Sequence, residues 1–161
     1  MLSKIFKKSV PKEKKEHHFI FIESPLEFVA PQVLSWQDAE WWPAQCALKY
    51  LRVDSGSLGT GTRFKKKLRW LVPLISVSEI SNWNPPQGME WTFKKGPIKG
   101  HESVAIEGRY NGTKVTFEMV YQIKGIVNKF LWAWVFHKRH EKSMKQILDA
   151  LRIYCLAQKR L

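Results

Sequence analysis

The sequence predicts an α+β domain: a curved antiparallel sheet of seven strands packed around a long C-terminal helix, with a short helix after the first strand. Three observations predict it. Within three segments, Met89–Lys94, Ser103–Glu107 and Lys114–Lys124, apolar and polar residues alternate, the pattern of strands with one buried and one wet face. After Gly125 the period becomes helical, with Phe130, Trp134, His137, Glu141, Met144, Leu148, Leu151 and Cys155 at three- and four-residue steps and no Pro or Gly to the end. A helix of up to about 35 residues is some 50 Å long. No strand–helix–strand repeat occurs, which argues against a parallel sheet.

The elements follow in order. Residues 1–17 read as a basic, flexible tail and 18–161 as the folded domain. His18 to Glu23 is a first strand. Ser24 and Pro25 then open a helix, with Ser at the cap, Pro in the first turn and Leu26, Val29, Val33 and Leu34 on one face; Pro31 should kink or shorten it. Ala47–Val53, Thr62–Arg69 and Leu74–Ile80 are strands, separated by a glycine-rich turn and followed by the Asn84–Gly88 turn. Met89, Trp91 and Phe93 mark the next strand, Val104 and Ile106 another, and Val115 to Ile123 the last, entered through an Asn111-Gly112 hairpin. The polar stretch His137–Ser143 is where the final helix is expected to bend.

Hydrophobic residues make up 44% of the 161, enough for a core. Cys46 and Cys155 have no paired or zinc spacing and read as buried thiols of a reducing cytosol, though a bridge between them stays open. Net charge is +13, from 27 Lys and Arg against 14 Asp and Glu. The excess sits at the two ends, which attracts anionic surfaces: phospholipid headgroups, nucleic acid or an acidic partner. No run approaches the roughly 20 apolar residues of a membrane span, and no secretory signal opens the chain. A cytoplasmic placement is expected, at most peripheral at a membrane. If residues 1–8 turned helical, Leu2, Ile5 and Phe6 would share one side, flanked by Lys4, Lys7 and Lys8, an interfacial helix in miniature. The alternative is a solvated tail.

Several side chains carry chemistry. His137, His140 and Glu141 continue the helix face of Met144 and Leu148; they either orient a ligand or exchange a proton, or are solvated where the helix leaves the sheet. Glu102 shares parity with Val104 and Ile106; it is either an inward carboxylate that needs a partner or a rim residue. Tyr121 either packs with its hydroxyl satisfied or meets a ligand. Arg63, Lys65, Lys67 and Arg69 form a wet basic stripe, with Phe64 and Leu68 of opposite parity. That parity argues against base stacking and so against nucleic acid. No metal-ligand spacing, phosphate loop or nucleophile motif occurs, and no cofactor is expected.

The arrangement resembles the START-like, helix-grip superfamily (the SRPBCC grouping, with its polyketide cyclase/dehydrase and lipid-transfer members). The matching features are Ser24-Pro25, Trp41-Trp42-Pro43, Gly59 to Thr62, Trp91 to Gly100, Asn111 to Val115, Gly125 to Phe130 and Leu148 to Leu151. The resemblance implies a curved sheet gripping a helix and a cavity between them for a hydrophobic or amphipathic small molecule or lipid. Its walls are expected from Trp91, Phe93, Phe117, Met119 and Tyr121 of the sheet and Met144, Ile147 and Leu151 of the helix, with Glu102, His137 and His140 as polar contacts. Two other readings stand beside ligand binding. One is a cyclase- or dehydratase-like enzyme using the same cavity. The other is a basic module docking on an acidic partner or nucleic acid. Ligand identity and oligomeric state are left open.

Overall fold

The computed structural model describes residues 12–36 and 39–158. The expected contact residues Leu2, Lys4, Ile5, Phe6, Lys7 and Lys8 lie outside them. The elements are β1 (Lys14–Ile22), α1 (Leu26–Leu34), β2 (Leu48–Arg52), β3 (Arg63–Leu68), β4 (Leu74–Asn84), β5 (Gly88–Lys95), β6 (Ile98–Arg109) and β7 (Gly112–Ile123), then α2 (Ile126–Leu131), a π-helical turn (Trp132–Phe136) and α3 (His137–Gln158). Seven strands form one sheet in the order β1-β7-β6-β5-β4-β3-β2, every pair antiparallel. The α+β class, the meander and the C-terminal helix are as the sequence predicts.

Local physics accounts for the elements, and for four departures from expectation. β1 starts at Lys14, inside the expected tail. Its exposed lysines conceal the alternation: Glu16 and Ile22 point inward while Phe19 and Phe21 face out. In α1, Pro25 and not Ser24 holds the cap position, without a side-chain cap bond, and the buried Ser24 hydroxyl has no partner among the described residues. Pro31 is accommodated inside this nine-residue helix. The expected bend at His137–Ser143 is replaced by the π turn just before it. Register shifts at Val77/Ser78 and Ile80/Asn82 bend the sheet where β4 meets β5.

The inner sheet face and the helix share one core. Ile22, Val33, Trp36, Phe64, Trp91, Phe117, Met144 and Leu151 are all buried in it. At Gly100 (φ +131°) a Cβ would fall 2.0 Å from the Val120 carbonyl oxygen and 2.9 Å from the Tyr121 Cα. Only glycine lets β6 approach β7 so closely beside Tyr121. Cys46 and Cys155 are buried and free, and burial pushes the Cys155 thiol up to about 11. No helix among the described residues is long and apolar enough to cross a membrane.

Candidate functional site: a buried ionisable relay beside two clefts

Where the grip should be most apolar, the interior holds four ionisable side chains. Glu16 comes from β1, Lys66 from β3, Glu102 from β6 and His140 from α3; their exposures are 6%, 3%, 0% and 0%. Strand parity puts the first three inside. Lys66 lies between buried Phe64 and Leu68, and Glu102 two residues before buried Val104. Burying such groups is costly unless each finds a partner, and here each does.

Lys66 Nζ donates to Glu102 in a short ion pair and lies 3.1 Å from His140 Nε2. His140 Nδ1 lies 2.7 Å from Glu16 Oε2. The tautomer that fits carries its proton on Nδ1, because Lys66 is a donor and must meet a lone pair at Nε2. Tyr121 donates to Glu16 Oε1 at 3.0 Å, and the Trp132 indole donates to the Tyr121 hydroxyl at 2.9 Å. At the other end Tyr50 donates to Glu102, 3.1 Å from Oε2. The result is one unbroken line of hydrogen bonds from Tyr50 to Trp132.

Burial, and then the Lys66 ammonium, push the His140 imidazole below its ordinary 6.5, against the pull of Glu16 and Glu102. Burial acts to raise the Glu16 carboxyl, but His140, His18 and Tyr121 around it overturn that and hold it well below the usual carboxylate range. Burial and the neighbouring carboxylates raise both tyrosines: Glu102 acts on Tyr50 and Glu16 on Tyr121. At neutral pH His140 is therefore neutral, Glu16 charged and both phenols protonated. Every polar end in the line is matched, with Glu16 and Glu102 each accepting from two sides, and chains of this kind strengthen their members.

The structure brings Glu102, Tyr121 and His140 together. His140 is buried, so the helix does not leave the sheet there. His137 sits at the rim, its Nε2 3.5 Å from Glu16 Oε1 and its Nδ1 3.9 Å from Glu141. Trp91, Phe93, Phe117, Met119, Met144, Ile147 and Leu151 are buried core residues. They are packed among themselves, and Trp36, from the segment after α1, stacks on Phe117 at 6.3 Å. Sequence reasoning missed Glu16, Lys66, Tyr50 and Trp132. Parity offered Lys66, since it has the inward register of Phe64 and Leu68.

Two clefts flank this interior. One, of about 440 Å³, is lined by Lys14, Lys15, Tyr121, Trp132, Ala133 and His137, so the relay ends in its wall. The other, of about 590 Å³, lies at the open end of the grip. The β3–β4 loop (Val72, Pro73), the start of β4 (Leu74, Ile75), the β5–β6 turn (Gly96, Pro97), Lys124, Gly125, Asn128, Leu131 and Phe136 line this open cleft. Among the described residues no set of His, Cys, Asp and Glu could hold a metal ion.

No family model and no curated protein matches this sequence. Solved structures do. Norcoclaurine synthase from Thalictrum flavum, a point mutant in complex with a transition-state analogue, is 12% identical with a TM-score of 0.70, over 94% of this chain and 99% of that one. Ara h 8.0201 is 14% identical with a TM-score of 0.65, over 91% and 99%. The Zhui aromatase/cyclase from Streptomyces sp. R1128 is 12% identical with a TM-score of 0.64, over 89% and 94%. These likenesses are of fold: the chain has the START-like helix-grip architecture. They span structures titled as enzymes and one titled without an activity.

Proposed function

From a helix-grip scaffold with a cleft at its open end, we propose that this protein binds a hydrophobic or amphipathic small molecule or lipid there. The cleft of about 590 Å³, walled by Val72, Leu74, Ile75, Leu131 and Phe136, carries this reading. Its size falls within the roughly 300–1,000 Å³ of small-molecule sites. Removing about 200 Å² of apolar ligand surface from water is worth about 5 kcal/mol before association costs. Two neighbours of this fold are titled as a norcoclaurine synthase in complex with a transition-state analogue and an aromatase/cyclase. The test is titration with 1-anilinonaphthalene-8-sulfonate. Ile75 lines the cleft and is partly exposed, so Ile75→Trp should narrow it without unfolding the chain. The expected result is probe affinity lowered about tenfold, the effect of about 1.4 kcal/mol. Unchanged affinity in the folded variant would sink the reading.

A second reading is an enzyme of the cyclase or dehydratase kind, favoured by the relay that ends at Tyr121 in the smaller cleft. Glu16 and His140 would exchange the proton through Tyr121. On this reading, Glu16→Gln should lower turnover of a polyketide-like carbonyl substrate about 100-fold or more. Turnover that survives Glu16→Gln excludes the relay as its acid–base machinery.

A further inference from the structure

We propose that the open end of the grip docks on an anionic phospholipid membrane, through Leu71 and Val72 of the β3–β4 loop and Ile126, Val127, Phe130 and Trp134 of the helix opposite. It rests on the ligand-binding reading in one respect: docking would set the cleft's mouth against the bilayer that holds apolar ligands.

All six side chains are between 64% and 86% exposed. They are not scattered. Ile126, Phe130 and Trp134 step along the helix by four residues, and inward-facing Trp132 and Phe136 are buried. The loop lies across the same cleft: Val72 lines it with Gly125, Asn128 and Leu131. Trp70 packs edge-on against Phe136 at 5.9 Å, and Arg139 Nη1 reaches the Arg69 carbonyl at 3.5 Å. Loop and helix therefore border one cleft and each exposes large apolar groups beside it, and exposed apolar surface of this extent marks an interaction site.

Charge selects the partner. Between Glu118 and Glu141 the sequence has no Asp or Glu, while Lys124, Lys129, Lys138 and Arg139 fall there. The opposing segment from Arg63 to Ser78 is also free of acid. Bulky apolar groups flanked by bases match the layering of acyl chains beneath anionic headgroups, and Trp settles at that boundary. A second copy of the chain fits poorly, since two acid-free basic faces repel.

The experiment is flotation of the full chain with phosphatidylcholine vesicles containing, or lacking, about one-third phosphatidylserine. Binding to the anionic vesicles alone is expected, declining with salt. Phe130→Ser/Trp134→Ser replaces only exposed groups, and circular dichroism checks the fold. It should lower partitioning about tenfold or more, and Lys124→Glu/Lys129→Glu should flatten the salt dependence. Unchanged partitioning in both variants assigns any binding to other charges and overturns the proposal. So does equal binding to neutral vesicles, self-association lost in the serine variant, or equally tight, serine-sensitive binding to soluble polyglutamate. Probe titration without vesicles keeps the two readings apart. An Ile75→Trp protein that loses no probe but floats normally refutes the cleft and leaves docking standing; serine variants that take up probe but fail to float support docking.

Discussion

At the scale of single residues, Lys66 carries the heaviest electrostatic duty. It bridges Glu102 and His140 at 3% exposure. Lys66→Met leaves the Glu102 carboxylate buried with the Tyr50 hydroxyl, and removing one partner of a buried pair costs about 3–5 kcal/mol. Lys66→Met/Glu102→Leu should recover much of that, because an apolar pair carries no desolvation penalty. Urea unfolding of the three proteins checks both statements. His140 sets the pH response. Its folded pKa lies below the ordinary 6.5, so the unfolded chain takes up a proton as pH falls through about 6.5 while the folded chain resists. Stability is thus full above that pH and declines below it. The lowered Glu16 value adds a loss of the same sign, starting nearer 4.5. Between pH 7 and 5 the unfolding free energy should fall, by up to about 1.4 kcal/mol per proton per pH unit. His140→Gln should flatten that slope; an undiminished slope removes His140 as the titrating group. For Glu102 parity with Val104 and Ile106 offered an inward carboxylate beside a rim reading, and burial decides for the first. Glu16 was hidden because Lys14, Lys15 and His17 around it read as tail, and no local pattern reveals a partner 124 residues away.

Among the elements, the π turn decides what the helix can reach. Trp132, Phe136, His140 and Met144 all face the core at steps of four. In a regular α-helix each step of four overshoots the roughly 3.6-residue turn, and a wider turn at Trp132–Phe136 absorbs part of the drift. Trp132→Ala should cost about 3–5 kcal/mol through the lost indole volume. Trp132→Phe should cost about 1 kcal/mol, chiefly the bond to Tyr121. Similar losses from both, measured by denaturant midpoints, would mean the hydrogen bond and not packing holds the turn. In α1 the exposed Pro31 blocks a backbone bond, so Pro31→Ala should stabilise by about 1–3 kcal/mol. The sheet was legible because alternation reports burial directly. The π turn was not: Leu131 to Phe136 is apolar at every position, so no face stands out there.

For the whole molecule, a net charge of +13 opposes compactness. Raising ionic strength from about 0.01 M to 0.15 M shortens the screening length from about 30 Å to 8 Å. The thermal midpoint should rise over that range, since surface repulsion is screened more than the buried relay; a falling midpoint would rank exposed ion pairs above repulsion. The overall fold was readable because the order of periods, two then about 3.6, leaves few ways to bury both. The position of the clefts was not, because it depends on how far Trp36 and its neighbours fill the grip. The pairing of the first strand with the last, Ile22 opposite Thr113, also fixes a schedule. A ribosome adding about 5–20 residues per second exposes β1 for several seconds before β7 exists to receive it. The chain must then continue to residue 140 before Glu16 and Lys66 meet their imidazole. The imidazole contacts are therefore made only once the final helix has been added, and a nascent chain halted before it holds Lys66 paired with Glu102 but Glu16 without His140.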